Sequence, residues 1–271
     1  MGAMVYDLTS NDLLTALDEN MIAFWKPYGR GPGGELHESA ELVRFLSGSP
    51  EPLFNGMMGA HLAAERADMA IDETCQACIK HKVPALWWVG PGSQPADLGT
   101  RLERHGFAPA GMVPGMAVDL DHLQAIPKAM DGLSVQTVDD PGMLRLWSDT
   151  AWVGTGFPAD KAELFAQIET LMGIDESGLR RRYLGYLNGK PVGSSVLVLH
   201  AGVAGIFAVS TLPEARGRGI GTALTVAPLV DAREAGYRVG TLQASDMGYP
   251  IYRKLGFQDV CQYNLYIWEK S

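Results

Sequence analysis

Basic residues are in the minority in this chain: 22 Lys plus Arg stand against 31 Asp plus Glu, a formal net charge of −9. A non-specific nucleic-acid binder needs a basic surface to displace counterions, so this balance argues against nucleic acid as a partner. It suits a cationic or amine-bearing small molecule, although solubility alone also accounts for it. Cysteine is scarce and odd in number, at 3, too few for a disulfide framework. No apolar run approaches the roughly 20 residues that cross a bilayer. The N-terminus shows no basic stretch followed by an apolar core, so no secretory signal is visible. These absences together lead us to expect a cytoplasmic protein with free thiols and no membrane partner.

What is present is ample for a packed interior. Hydrophobic residues make up 46% of the 271 and charged residues 20%, which allows one large domain or two of about 130 residues. A polar stretch at Leu120–Gly132 separates two patterned halves, and the same ending occurs in each. Leu102-Glu-Arg-His-Gly106-Phe107 leads into a strand-like Gly115–Leu120. Tyr252-Arg-Lys-Leu-Gly256-Phe257 leads into a strand-like Gln262–Trp268. A short helix, a glycine that caps it and an aromatic that opens a strand, found twice, imply a duplicated unit. The expected division is 1–126 and 127–271.

In the second half, Leu133–Val138 alternates as a strand, and Pro141–Val153 and Pro158–Met172 carry helical spacing. Arg182–Leu187 and Pro191–His200 read as strands joined by the turn Asn188-Gly189, and Ala201-Gly202 turns the chain into Val203–Val209. A helix begins at Ile220, with Pro228 expected to kink it, and Val239–Ala244 is a further strand. In the first half, Asp12–Trp25 and Asp68–Lys80 read as helices. Glu41–Leu46, Leu53–His61 and Ala85–Val89 read as strands, and Lys26–Glu38, rich in Gly and Pro, as a surface loop. Strands in hairpins followed by a strand–helix–strand crossover make a mixed α/β (α+β) sheet.

The chemistry concentrates in Arg216-Gly217-Arg218-Gly219-Ile220-Gly221-Thr222. Glycines at 217, 219 and 221 remove side chains where a backbone would meet a bulky anion. Exposed N–H groups at a helix start, with the positive end of its dipole, suit a pyrophosphate. Arg216 and Arg218 add charge, or form a solvated flank. Two competing nucleotide motifs fail. A dinucleotide G-x-G-x-x-G from Gly217 would need a small residue where Thr222 stands, and Ser210–Ala215 separates it from the strand. A P-loop would need Gly-Lys-Ser/Thr, which does not follow.

Arg216-x-x-Gly219-x-Gly221, between an antiparallel strand and a helix, resembles the acetyl-CoA signature of the GNAT acetyltransferase superfamily. Tyr252-Arg-Lys-Leu-Gly256-Phe257 resembles that family's second segment at its usual distance, and the resemblance runs over roughly Leu133–Lys270. It implies two GNAT-like domains, the first a degenerate copy in which Arg66–Asp72 stands where the glycines would be and which does not bind CoA. It implies an N-acetyltransferase that passes an acetyl group from acetyl-CoA to a primary amine of a small molecule or peptide by direct attack in a ternary complex. In that picture Phe207, Ala208 and Val209 pair by backbone with the pantetheine arm, and the N–H groups of Gly217–Thr222 hold the pyrophosphate. Tyr252 faces the CoA sulfur as the acid. Ser245 takes a position where many members carry Asn against the pantetheine. A non-catalytic acyl-CoA sensor is the alternative.

The remaining candidates are weaker. Asp246 fits a helix N-cap better than a general base. His200 reads as an exposed turn residue. Trp152 and Phe157 fall where members line the acceptor site, or simply pack. Cys75-x-x-Cys78 with His81 lacks a fourth ligand, so no metal is expected. Monomer and homodimer both stay open.

Overall fold

The computed structural model describes residues 4–123, 130–158 and 161–269. The chain forms two compact units: Met1–Asn20 with Met116–Gln258, and Met21–Gly115 with Asp259–Ser271. The expected division between residues 126 and 127 lies outside the described residues. The ends of the chain are exchanged relative to a simple cut there, because the first twenty residues join the second-half unit and the last strand joins the first-half unit.

The unit holding the glycine cluster orders its strands as β5-β10-β9-β8-β7-β6. These are β5 (Ala108–Asp119, of which Met116 onward belongs here), β6 (Leu133–Thr137), β7 (Arg180–Leu187), β8 (Lys190–His200), β9 (Val203–Thr211) and β10 (Val239–Gln243). Strands β6 to β9 form an antiparallel meander, and β10 returns parallel to β9. Both hairpin turns use left-handed residues, Asn188 and Gly189 at φ 51° and 76°, and Ala201 and Gly202 at 52° and 78°. Two successive positive φ values match the right-handed twist of the flanking strands.

Helix α4 (Pro141–Thr155) starts as its sequence dictates. Asp140 accepts a hydrogen bond from the Met143 N–H at 2.8 Å, and Pro141 occupies the first turn. Helix α5 (Ala162–Met172) follows, while residues 159–160 of the expected Pro158–Met172 helix lie outside the described residues. Helix α6 (Ile220–Glu234) is the crossover between β9 and β10, continuous through Pro228. Its buried side is Ile220, Ala223, Leu224 and Leu229, packed on Leu197, Leu199 and Ile206 of the sheet. Each such large aliphatic group, fully buried, contributes about 1.5–3 kcal/mol. The short helix α7 (Tyr249–Lys254) follows β10.

The other unit orders its strands as β1 (Glu35–Glu38), β2 (Val43–Leu46), β3 (Asn55–Met58), β4 (Ala85–Val89), β11 (Gln258–Trp268) and the first part of β5. Strands β3 and β4 are parallel and joined by α2 (Ala64–His81); β4 pairs antiparallel with β11. Helix α1 (Leu13–Trp25) precedes these strands and α3 (Leu98–Arg104) precedes β5. Lys26–Glu38 is not the surface loop its composition implied. Lys26–Arg30 forms a 3-10 turn with Tyr28 and Gly29 buried, and Glu35–Glu38 pairs with β2. Tertiary pairing overrides the Gly/Pro signal here. The expected strand Leu53–His61 is narrower, with Pro52–Phe54 as a 3-10 turn ahead of β3.

The repeated ending is the same structure in both places. Phe107 N–H bonds to Leu102 O and Phe257 N–H to Tyr252 O, each at 3.0 Å, around Gly106 and Gly256 at φ 90° and 97°. No helix among the described residues is long and apolar enough to cross a membrane.

Candidate functional site

Parallel strands place their carboxyl ends together, and ligands of open α/β sheets bind there. The glycine segment follows the end of β9, while Ser245 and α7 follow the end of β10, so one topological fact gathers the two segments singled out from sequence. The β9–β10 ladder is short: only Ala204 and Gly205 face Gly240 and Thr241. Phe207–Val209 lie beyond these residues of the ladder.

A bulge lies in this length of β9. The β8–β9 register shifts between Ser194↔Ser210 and Val196↔Phe207, and Ala208 adopts φ 48°. An alanine in the left-handed region is strained, and a buried serine pair holds it. Ser194 Oγ donates to Ala208 O at 3.1 Å and lies 2.8 Å from Ser210 Oγ. Bulges turn backbone groups away from the ladder. Sequence reading missed this device, since Ala208 carries no turn signal. The one clue was Ser194-Ser195, small hydroxyls inside an otherwise apolar strand.

Gly217 and Gly219 adopt φ 71° and 78°, and a Cβ built on either meets nothing within 4 Å. Gly219 is the N-cap of α6 and has no side chain to fold over the helix end. No hydrogen bond within the described residues takes up the N–H groups of Gly217 to Thr222; the first α6 donor to find a partner is Ala223, bonded to Gly219 O at 3.1 Å. The result is an open, exposed stretch of bare amides, as an anion requires. Ile220 is buried and serves the core instead. The Arg218 side chain is exposed. Arg216 is directed elsewhere: its Nε donates to Thr211 O at 3.2 Å and one Nη to Gly154 O, near the end of α4, at 3.1 Å.

Tyr252 is buried in the α6 core, in contact with Gly248 and sharing a hydrogen bond with the Thr225 hydroxyl. Burial pushes its phenol up to about 12. Thr225, one turn into α6, donates in turn to Gly221 O at 2.9 Å, which links Tyr252 to the cradle. Ser245 is exposed, and its Oγ accepts the Gly248 N–H at 3.2 Å. The N-cap of α7 is Gly248 and no side chain caps it, so Asp246 does not take the capping role expected of it and stands exposed.

Trp152 is buried and donates from Nε1 to Pro158 O at 2.7 Å, with its ring 4.8 Å from Phe157 and 5.3 Å from Phe165. It is packing between α4 and α5. His200 is exposed in its turn. His81 lies 3.1 Å from Glu35, and burial raises both Cys75 and Cys78, the latter to about 12. These thiols are poor nucleophiles. No group of three metal-ligating side chains occurs among the described residues.

At the corresponding place in the first-half unit, the start of α2 carries no glycine cluster. Helix α2 begins after Ala63 with Glu65 in its first turn, and the chain ahead of it is closed by its own backbone. Leu62 N–H bonds to Gln94 O at 3.2 Å and Gln94 N–H to Ala60 O at 2.8 Å.

Residues 180–259 match the family model described as the acetyltransferase (GNAT) domain. None of the curated proteins matches the chain significantly. Among solved structures, a GCN5-related N-acetyltransferase from Kribbella flavida superposes with TM-score 0.70 at 17% identity, over 94% of this chain and 96% of that one. One from Sphaerobacter thermophilus gives 0.62 at 19% identity, over 93% and 85%. A tandem GNAT protein of the clavulanic acid biosynthesis pathway gives 0.58 at 17%, over 84% and 78%. These likenesses concern the fold. The signature between β9 and α6 lies inside the matched segment, so residues 180–259 are where the likeness to the acetyltransferase (GNAT) domain is carried.

Proposed function

We propose that the unit containing α6 is an N-acetyltransferase that uses acetyl-CoA and a primary amine of a small molecule or peptide. The observation that carries this reading is the row of N–H groups from Gly217 to Thr222 with no partner among the described residues, placed just after the end of β9. The residues present fit a CoA diphosphate, because the space above Gly217 and Gly219 that any side chain would fill is open. Acetyl-CoA, as substrate, supplies a thioester carbonyl. The amides of Gly217–Thr222 bind its diphosphate, and the edge of Phe207–Val209 pairs with the pantetheine arm. Ser245 stands at the end of β10 to donate or accept one further bond.

The N–H of Val209, next to the bulge, would hold the carbonyl oxygen and stabilise charge that develops there. Fixing the two reactants together is worth effective molarities of about 10⁵–10⁸ M. Tyr252 holds a proton at Oη near the departing sulfur. Complete transfer from a phenol at about 12 to a thiolate near 8.5 is uphill by about 5 kcal/mol. Its contribution is thus a hydrogen bond that strengthens as charge builds on sulfur. The burial of Tyr252 also favours a second reading, a non-catalytic acyl-CoA sensor. Titration calorimetry with acetyl-CoA followed by free-thiol release over a panel of amines separates the two. Binding with release on an amine supports the enzyme, binding without release on any amine supports the sensor, and no binding removes both.

A further inference from the structure

The arginine that opens the glycine segment does not point into the cradle. Its guanidinium spans two backbone carbonyls, Thr211 O at 3.2 Å and Gly154 O at 3.1 Å. Gly154 lies in the last turn of α4, where carbonyls have no helical partner and the dipole presents negative charge. That turn contains no basic residue of its own. Arg216 therefore supplies from a distant segment the cation that helix ends usually take from their own last turn.

A second, independent contact fixes the same point. Gly154 sits so close to β9 that a Cβ there would overlap the Ser210 hydroxyl, 2.8 Å from Ser210 Cβ and 3.3 Å from the Thr211 N–H. Ser210 belongs to the pair that pins the Ala208 bulge. The end of α4 is thus seated on the bulge from one side and tied to the cradle by Arg216 from the other.

Resting on the acetyl-CoA reading above, we infer that Arg216 is a positioning residue rather than a phosphate ligand. It holds the end of α4 against the bulge, so that filling the cradle fixes the wall at Val153–Phe157 beside the reacting carbonyl. The segment so held contains the exposed, uncharged Val153 and Thr155, and it sets how the amine approaches.

The test compares the wild-type protein with Arg216→Lys, Arg216→Gln and Gly154→Ala, by acetyl-CoA calorimetry and by hydrogen exchange of residues 150–158 with and without acetyl-CoA. Loss of a hydrogen bond to a charged group should speed exchange at the end of α4 by about 10-fold or more in Arg216→Gln. Arg216→Lys, which keeps one charged donor, should recover part of that protection. Acetyl-CoA should slow exchange of 150–158 in the wild type but not in Arg216→Gln, with its Kd changed less than about 3-fold, under 0.7 kcal/mol. Gly154→Ala, which spares the guanidinium, should raise exchange in the same residues. A Kd weakened 10-fold or more in Arg216→Gln, with exchange of 150–158 unaltered, would make Arg216 a phosphate ligand and overturn the inference. Failure of the wild type to bind acetyl-CoA overturns the acetyltransferase reading instead, and the ligand-free exchange still decides whether Arg216 holds α4.

Discussion

Replacing Gly219 by glutamate separates the cost of folding from the cost of binding. Gly219 holds φ 78° with nothing within 4 Å of an added Cβ, so the substitution is strained by its backbone and not by a clash. A residue with a side chain in the left-handed region costs roughly 1–2 kcal/mol, which lowers Tm by roughly 2–8 °C in a chain of this size. Binding should suffer far more. The new side chain occupies the open space over the amides, and its charge opposes the diphosphate. Like charges about 4 Å apart repel by about 4 kcal/mol at an effective dielectric near 20. The position is exposed, so screening leaves a repulsion of about 2 kcal/mol. That alone is a loss of about 30-fold in affinity, with exclusion of the ligand added. Differential scanning fluorimetry and calorimetry with acetyl-CoA read the two quantities on one sample. Gly219→Ala should show the same small fall in Tm and an intermediate Kd. A Gly219→Glu protein that binds acetyl-CoA within a factor of two of wild type would refute the cradle.

Three further outcomes follow from the buried polar groups. Burial raises Tyr252 to about 12, so the unfolded chain surrenders that proton first and stability falls as pH rises from about 10 towards 12, by up to 1.4 kcal/mol per unit. Urea melts of Tyr252→Phe across pH 9–11.5 should show a shallower decline, and an unchanged slope would remove the buried phenol from the account. Asn20 is fully buried and its side-chain nitrogen donates to Val198, His200 and Val203 carbonyls at 2.9, 3.1 and 3.2 Å. Asn20→Asp sets a carboxylate against those oxygens, and an m-constant drop in urea midpoint worth about 3 kcal/mol or more is expected. Glu169 and Arg182 form a buried ion pair at 2.6 Å beneath α5, with the guanidinium over Trp147. Glu169→Gln leaves that charge unpaired and should cost about 3–5 kcal/mol by the same melts; a change below 1 kcal/mol would show that water already compensates the charge.

The site was legible where local chemistry alone sets the backbone. Glycines at 217 and 219 require positive φ, and Asn188-Gly189 and Ala201-Gly202 announce hairpins, so β7 through α6 follows from the letters. The bulge at Ala208 was not legible, because its cause is a tertiary bond from Ser194 and nothing in Phe207-Ala208-Val209 signals it. Arg216 looked like a phosphate contact by proximity to the glycines, whereas its side chain reaches a carbonyl 62 positions away. Strand β1 was hidden inside a Gly/Pro-rich stretch because its pairing with β2 decides its conformation. Asp246 looked like a helix cap, but the N-cap of α7 falls two residues later at Gly248 and no side chain caps it.

The exchanged ends govern how this protein can be dissected. A fragment begun after residue 126 would carry β11 away while β4, the strand it pairs with through Asn264–Trp268, stayed behind. Each piece would then expose an unpaired edge, the template on which chains aggregate. Shortening the gene to its recognisable half should therefore give insoluble material even with every cradle residue retained, and functional work on this chain has to begin from its whole length.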